Sequence, residues 1–346
     1  MALTDRSWSR DFKKTKIVGR AYLDGAKKRS TWLNFHHGLA AVHEMNAKND
    51  EANVLEDLKD AFPTPQSAID QADEVREDLA YAKNLRDSGV AAAKEEAGED
   101  EKLFKKLELA AKNESSDYIT KKWLRNTRNK ATVLEAVLRG AAQWEQVEKA
   151  ITNCPAPGDE GSMLSPCCAA DGQQKREKRR RNDETGKMEP IPDYPCNATI
   201  NMEGPCDSIY GLKMKGMDMA MLLQGCEVPV PDKWMIWHMS EEAEPGRDRL
   251  PRPGTRVESK SGIDLTKKTQ SAINVETSKV QDDPVRYRKY RDAIIKEARK
   301  QKLTVGEFHT GVWLDLVTCA SANSETGECL TGDEDRSRAF IKELFE

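Results

Sequence analysis

Apolar residues recur every three or four positions through the first half of this chain, and that period restricts it to amphipathic helices. Ile69, Ala72, Val75, Leu79, Ala82 and Leu85 make one stripe, and Ile119, Trp123, Val133, Val137, Ala141, Trp144, Val147 and Ile151 make a longer one. Each sets its apolar side chains along one helical face. Thr64 opens the first stripe as N-cap with Pro65 at the first helical position. Gly89 is expected to interrupt it, with helical composition resuming as far as Asn113. "NESSD" reads as a turn, with Ser115 or Ser116 capping the next helix. That helix is predicted to run unbroken to "NCPAPG", where two prolines and a glycine forbid continuation. An earlier helix is predicted from Thr31 to Ala61, with Leu39, Val42, Leu55 and Leu58 inward.

Helices joined by short turns hide such stripes by packing antiparallel. Charged residues make up 33% of the 346 residues and aromatics only 6%, and the mean hydropathy is -0.76. That balance suits long, solvent-washed helices better than an α/β enzyme around a buried sheet. The predicted class is mainly α: an elongated antiparallel helical bundle followed by an irregular cysteine-bearing region and C-terminal helices. Four segments follow: a basic arm over 1–30, the bundle over 31–153, an irregular or extended segment over 154–283, and C-terminal helices over 284–346.

Nine basic residues lie between Arg6 and Arg29 against Asp11 and Asp24, and from Ala41 to Ala110 acids outnumber bases eighteen to nine. A basic arm before an acidic helical body suits contact with other macromolecules, copies of the chain included. No apolar run is long enough to span a membrane. The first twenty residues lack the apolar region of a secretory signal, so the chain either stays inside the cell or has lost a leader.

The central segment is rich in breakers and has no period. One short helix is predicted between Asp207 and Gln224, and "EVPVPDKWMIWHM" reads as an edge strand because of its prolines. A loop of that length inside a compact domain is unusual, so the segment is expected to order itself along a partner. After it, Asp283 and Pro284 open a helix, and Thr304 with Glu307 forms a capping box for another. An amphipathic helix is predicted over the last fourteen residues.

The eight cysteines include two Cys-x9-Cys loops, Cys196 to Cys206 and Cys319 to Cys329. Gly204 with Pro205, and Gly327, break the helices that paired helical thiols would need. Each remains a candidate disulfide loop worth about 2–4 kcal/mol if bridged; the spacing leaves bridging open. Asn113 and Asn197 begin glycosylation sequons. There is no Cys-x-x-Cys and no finger spacing, so structural zinc is not expected. His36 and His43 share a helical face beside Glu44, but two turns put them about 10 Å apart, too far for one metal. Met214, Met217, Met219 and Met221 are soft ligands in principle, yet read as packing residues. No phosphate loop, nucleophile elbow or His-Glu-x-x-His occurs.

These features point to a non-catalytic structural or assembly subunit without cofactor or metal. Its partners would be other protein subunits, copies of itself among them. Trp8, Met217, Met221, Trp234 and Trp237 are the candidate partner anchors. Lys13, Lys14, Lys27, Lys28 and Arg29 in the arm, with Arg179, Arg180 and Arg181 in "KREKRRR", are the candidate basic contacts. Two alternatives stay open: a secreted or cell-surface helical ectodomain, stapled by disulfides, that binds a protein ligand; and a coat or nucleocapsid protein whose basic arm touches nucleic acid, an option not favoured. In layout alone, long antiparallel helices before a cysteine-bearing region, the first half resembles trypanosome surface glycoproteins; no motif carries that likeness.

Overall fold

The computed structural model describes residues 12–43, 50–125, 127, 129–152, 154, 179–181, 188–190, 213–247, 266–281 and 283–320. The fold is mainly α. The first eight helices are α1 (Phe12–Lys27), α2 (Thr31–His43), α3 (Asp50–Ala61), α4 (Pro65–Asp70), α5 (Ala72–Ala97), α6 (Glu101–Lys122), α7 (Lys130–Ala142) and α8 (Trp144–Thr152). Then come α9 (Lys213–Leu223), α10 (Lys233–His238), α11 (Ser240–Ala243), α12 (Thr266–Gln281), α13 (Pro284–Lys300) and α14 (Val305–Ala320). A small antiparallel hairpin pairs β1 (Arg179–Arg181) with β2 (Met188–Pro190), Arg180 opposite Glu189.

The first stripe lines the core from Ala72 to Ala82, with Ile69 exposed at its start, and the second lines it throughout. The helices that carry them nevertheless break where the period alone shows no break. Ile119, Trp123, Val133, Val137, Ala141, Val147 and Ile151 are all buried in one cluster, spread over α6, α7 and α8. The chain turns after Lys122 because Arg125 donates its backbone N–H to the Asp57 carboxylate at 2.6 Å and Asn129 takes left-handed backbone, φ 53°. The predicted turn at "NESSD" is corrected as well: α6 runs straight through it. Ser115 is buried, and its hydroxyl donates to the Lys112 carbonyl. Gly89 does not interrupt α5 either. A Cβ there would sit 2.7 Å from that of Ala111, so this glycine lets α5 and α6 approach closely.

The caps formed as expected. Thr64 and Ser67 bond reciprocally at the start of α4, and Thr304 and Glu307 do the same before α14. Asp283 caps α13, accepting from the Arg286 N–H. In place of one helix from Thr31 to Ala61 there are two. α2 is buried almost all round, from Asn34 to Ala41, as suits a helix enclosed on several sides. It lies among α3, α7, α8 and α9, and Gly38 lets it cross α9 against the Gly216 carbonyl.

Two expectations fail on burial. The basic arm does not stand away from the body: α1 runs along α14 and touches α9, because Tyr22, Leu23 and Ala26 form an apolar stripe that these helices cover. Nor is the central segment extended over its described residues from 213 onward; only β1 and β2 are. Residues 213–247 fold back as α9, α10 and α11, and α12 follows. The predicted edge strand at Lys233 is a helix, because the Asp232 carboxylate accepts from the backbone N–H groups of Trp234 and Met235 and caps it.

Candidate functional site

Met217 and Met221, predicted to anchor a partner, are each 1% exposed within the chain's own core, beside Phe35, Val147 and Ile151. Trp234 is buried in a second cluster with Tyr290, Ile294 and Phe308, and Trp237 packs against it half-buried. As partner anchors Met217, Met221 and Trp234 are corrected, since their apolar area is already spent on the fold, while Trp237 keeps part of its surface exposed. Trp8 lies outside the described residues. Lys13 and Lys14 fall on α1, and Lys27 and Lys28 are exposed at its end. Arg29 is partly buried and donates to His37 Nδ1 at 3.4 Å. Arg179, Arg180 and Arg181 form β1. Cys196, Cys206 and Cys329 lie outside the described residues, while Cys319 is in the last turn of α14.

A disulfide joins Cys154 to Cys226, 72 residues apart, with 4.9 Å between Cα atoms. Short Cys-to-Cys spacings do not reveal it, because its two ends lie 72 residues apart. The available signal was positional: "NCPAPG" and "GCEVPVP" each put a cysteine just past a helix end. The bridge fastens the chain after α8 to the chain after α9, and Cys226 and Val228 enter the first core cluster.

The most deeply enclosed charges gather between α9 and α13. Asp218 is fully buried. The Tyr287 hydroxyl donates to its Oδ2 at 2.8 Å, and Arg291 Nη1 lies 3.9 Å from the same oxygen. Asp218 Oδ1 and Arg291 Nε have no hydrogen-bond partner among the described residues. Burial pushes the Asp218 carboxyl up to about 6, against the pull of Arg291 and Tyr287. The Tyr287 hydroxyl is raised by its own burial and by Asp218.

A second group joins α11, α12 and α13. Arg286 bonds both oxygens of Glu244 at 2.9 and 2.6 Å and reaches Glu276 at 2.6 Å, while Tyr290 donates to Glu244 at 3.0 Å. Arg247 adds an ion pair to Glu276 at 2.5 Å. Burial acts to lower the Arg286 guanidinium and to raise Glu244, but their mutual bonds outweigh it in both directions. A cavity of about 30 Å³ beside them is lined by Ile236, Trp237, Ile273 and Tyr290. That space suits a water rather than a metabolite. Such a bidentate, fully paired network fixes helices relative to each other.

His36 is enclosed by Trp32 and Phe35, with ring centroids 4.5 and 5.9 Å away. Burial pushes its imidazole down to about 3, and does the same at His309. Both are neutral core histidines. Among the described residues no group of three or more His, Cys, Asp or Glu is arranged to hold a metal ion, and no described helix is long and apolar enough to cross a membrane. Compared with protein-family models, with curated proteins and with solved structures, the chain matches none.

Proposed function

We propose that the chain is a non-catalytic structural subunit of a larger assembly, its helices a rigid body and its partners other protein subunits, copies of itself among them. The observation behind this reading is the α5–α6 hairpin. Its two helices lie chiefly against each other and otherwise meet α4 and α7, and its far end buries only alanines, Ala93, Ala97 and Ala111. Ile69, Tyr81 and Leu109 nevertheless remain 45%, 55% and 60% exposed on α4 and the hairpin. A stiff arm displaying apolar groups is suited to docking. Sedimentation of the purified chain should give a mass above 38.9 kDa, the mass of one chain, and Tyr81→Glu with Leu109→Glu should lower it. A strict monomer whose residues 155–212 also resist protease would count against the reading.

The Cys154–Cys226 bridge supports a second reading, an exported, disulfide-stapled ectodomain that binds a protein ligand. Disulfides persist where thiols are not kept reduced. Mass spectrometry of the unreduced protein should find that peptide pair linked; free thiols at both positions would remove this reading.

A further inference from the structure

We propose that Asn113 carries an N-linked glycan, attached before α6 folds and then held beside Leu109. The inference rests on the exported reading above and adds the modification that such a compartment would install. Asn113, Glu114 and Ser115 form the sequon, and the structure places its two ends on opposite sides of one helix. Asn113 is exposed and points to solvent, whereas Ser115 is 7% exposed, turned into the hairpin with its hydroxyl on the Lys112 carbonyl. Residues two apart on an α-helix diverge by about 200°. A transferase reading Asn and Ser together can therefore act only while this stretch is unfolded.

In the transfer itself, the C1–O bond to the lipid diphosphate of a lipid-linked oligosaccharide breaks and a bond from C1 to Asn113 Nδ2 forms. The diphosphate keeps the electron pair, and Nδ2 loses one proton. Nothing is oxidised or reduced. Folding then buries Ser115 and leaves the sugar outside, so the modification costs no packing. Leu109 stands one turn earlier on the same face and is 60% exposed. Helical side chains lean toward the N-terminus, so the first sugar lies over this leucine. On this reading Leu109 is covered by the sugar and is not a docking residue.

The test is the full chain expressed behind a cleavable secretory leader in cultured eukaryotic cells, followed by peptide mapping. The Asn113 peptide is expected to carry a hexosamine-based mass that an amidase removes, leaving aspartate. Asn113→Gln and Ser115→Ala should each lose that mass, and Ser115→Thr should keep it. Folded chain, incubated afterwards with detergent-opened microsomes and lipid-linked oligosaccharide, should take up none. An unmodified Asn113 in secreted chain whose Cys154–Cys226 bridge has formed would overturn the proposal and leave the exported reading standing. A glycan at Asn113 beside unbridged Cys154 and Cys226 would support the site and sink that reading. Equal modification of chain folded beforehand would overturn the order of events.

Discussion

Asp78 and Asp218 are both carboxylates enclosed by helices, and the regions around them are built in different ways. Asp78 sits on the α5–α6 hairpin, where the Tyr118 hydroxyl, the Trp123 indole and the Lys122 ammonium reach it at 2.9, 2.7 and 2.6 Å. Burial alone would raise it, but these three donors outweigh that and hold it below the usual carboxylate range. Asp218 has one hydrogen bond and a distant guanidinium, and it is pushed up to about 6. Donors, more than enclosure, decide which carboxylate keeps its charge. The two regions differ in assembly as well. The Asp78 partners lie 40 and 45 residues away, within consecutive helices. Around Asp218 the chain collects α1, α2, α9, α13 and α14 from opposite ends of the sequence and adds a covalent staple.

If that staple holds the second region, removing it should have the largest effect. Closing a loop of 72 residues stabilises by about 4 kcal/mol in the chain-entropy account. Cys154→Ala with Cys226→Ala should lose most of that in denaturant titration. Hydrogen exchange should show α9 loosening well before α5 and α6; equal loosening would mean that the two regions unfold as one. Next in size is Asp78→Ala, which strips the buried Trp123 indole and the Tyr118 hydroxyl of their acceptor and leaves Lys122 with Glu74 alone. The expected loss is about 3 kcal/mol, the upper end for buried donors left without a partner, seen as a lower midpoint in denaturant titration.

Gly89→Val separates the regions more cleanly. Its Cβ would start 2.7 Å from that of Ala111, so α5 and α6 must part, at about 2 kcal/mol. The damage should stay in the hairpin and leave the Cys154–Cys226 bridge and the packing of α9 unchanged by hydrogen exchange. An unaltered melting curve would mean that α5 and α6 do not need the close approach at Gly89.

The hairpin region was the more legible from sequence, and the reason is physical. The stripe from Val75 to Leu85 and the Thr64 cap are local signals, written within a few residues of the structure they produce. So are Asp283 and the Thr304–Glu307 box in the second region. What stayed hidden depends on distant residues. The break after Lys122 needs Asp57, and the straight run through Ser115 needs the opposing face of α5. Met217, Met221 and Trp234 are of the types in which binding energy concentrates; composition shows that such side chains must be covered, but not by what. The cover turned out to be α2, α8, α13 and α14 rather than another molecule. Cys154 and Cys226 were likewise out of reach of any search over short spacings.

The smallest effect should come from Asp218→Asn, and its sign is the sharpest test of the comparison. A carboxyl raised in the folded state gives stability that is complete below the unfolded value, about 3.9, and is lost as pH rises through about 6. Above that pH the native chain holds an under-donated anion, so Asp218→Asn should raise stability at pH 8 by about 1 kcal/mol. Asp78 works in reverse: its pKa is lowered, so its contribution is present above the unfolded value and lost as pH falls through the folded one. His36 and His309 complicate the raw curve. Both are pushed down to about 3, so their neutral burial favours the fold above about 6.5 and is lost progressively as pH falls below it. They oppose Asp218 between pH 4 and 6. The informative quantity is therefore the difference between wild type and Asp218→Asn across that window, in which the histidines cancel. It should shrink toward zero or reverse as pH falls from 6 to 4. A difference independent of pH would show that Asp218 is already fully satisfied, and the contrast with Asp78 would collapse.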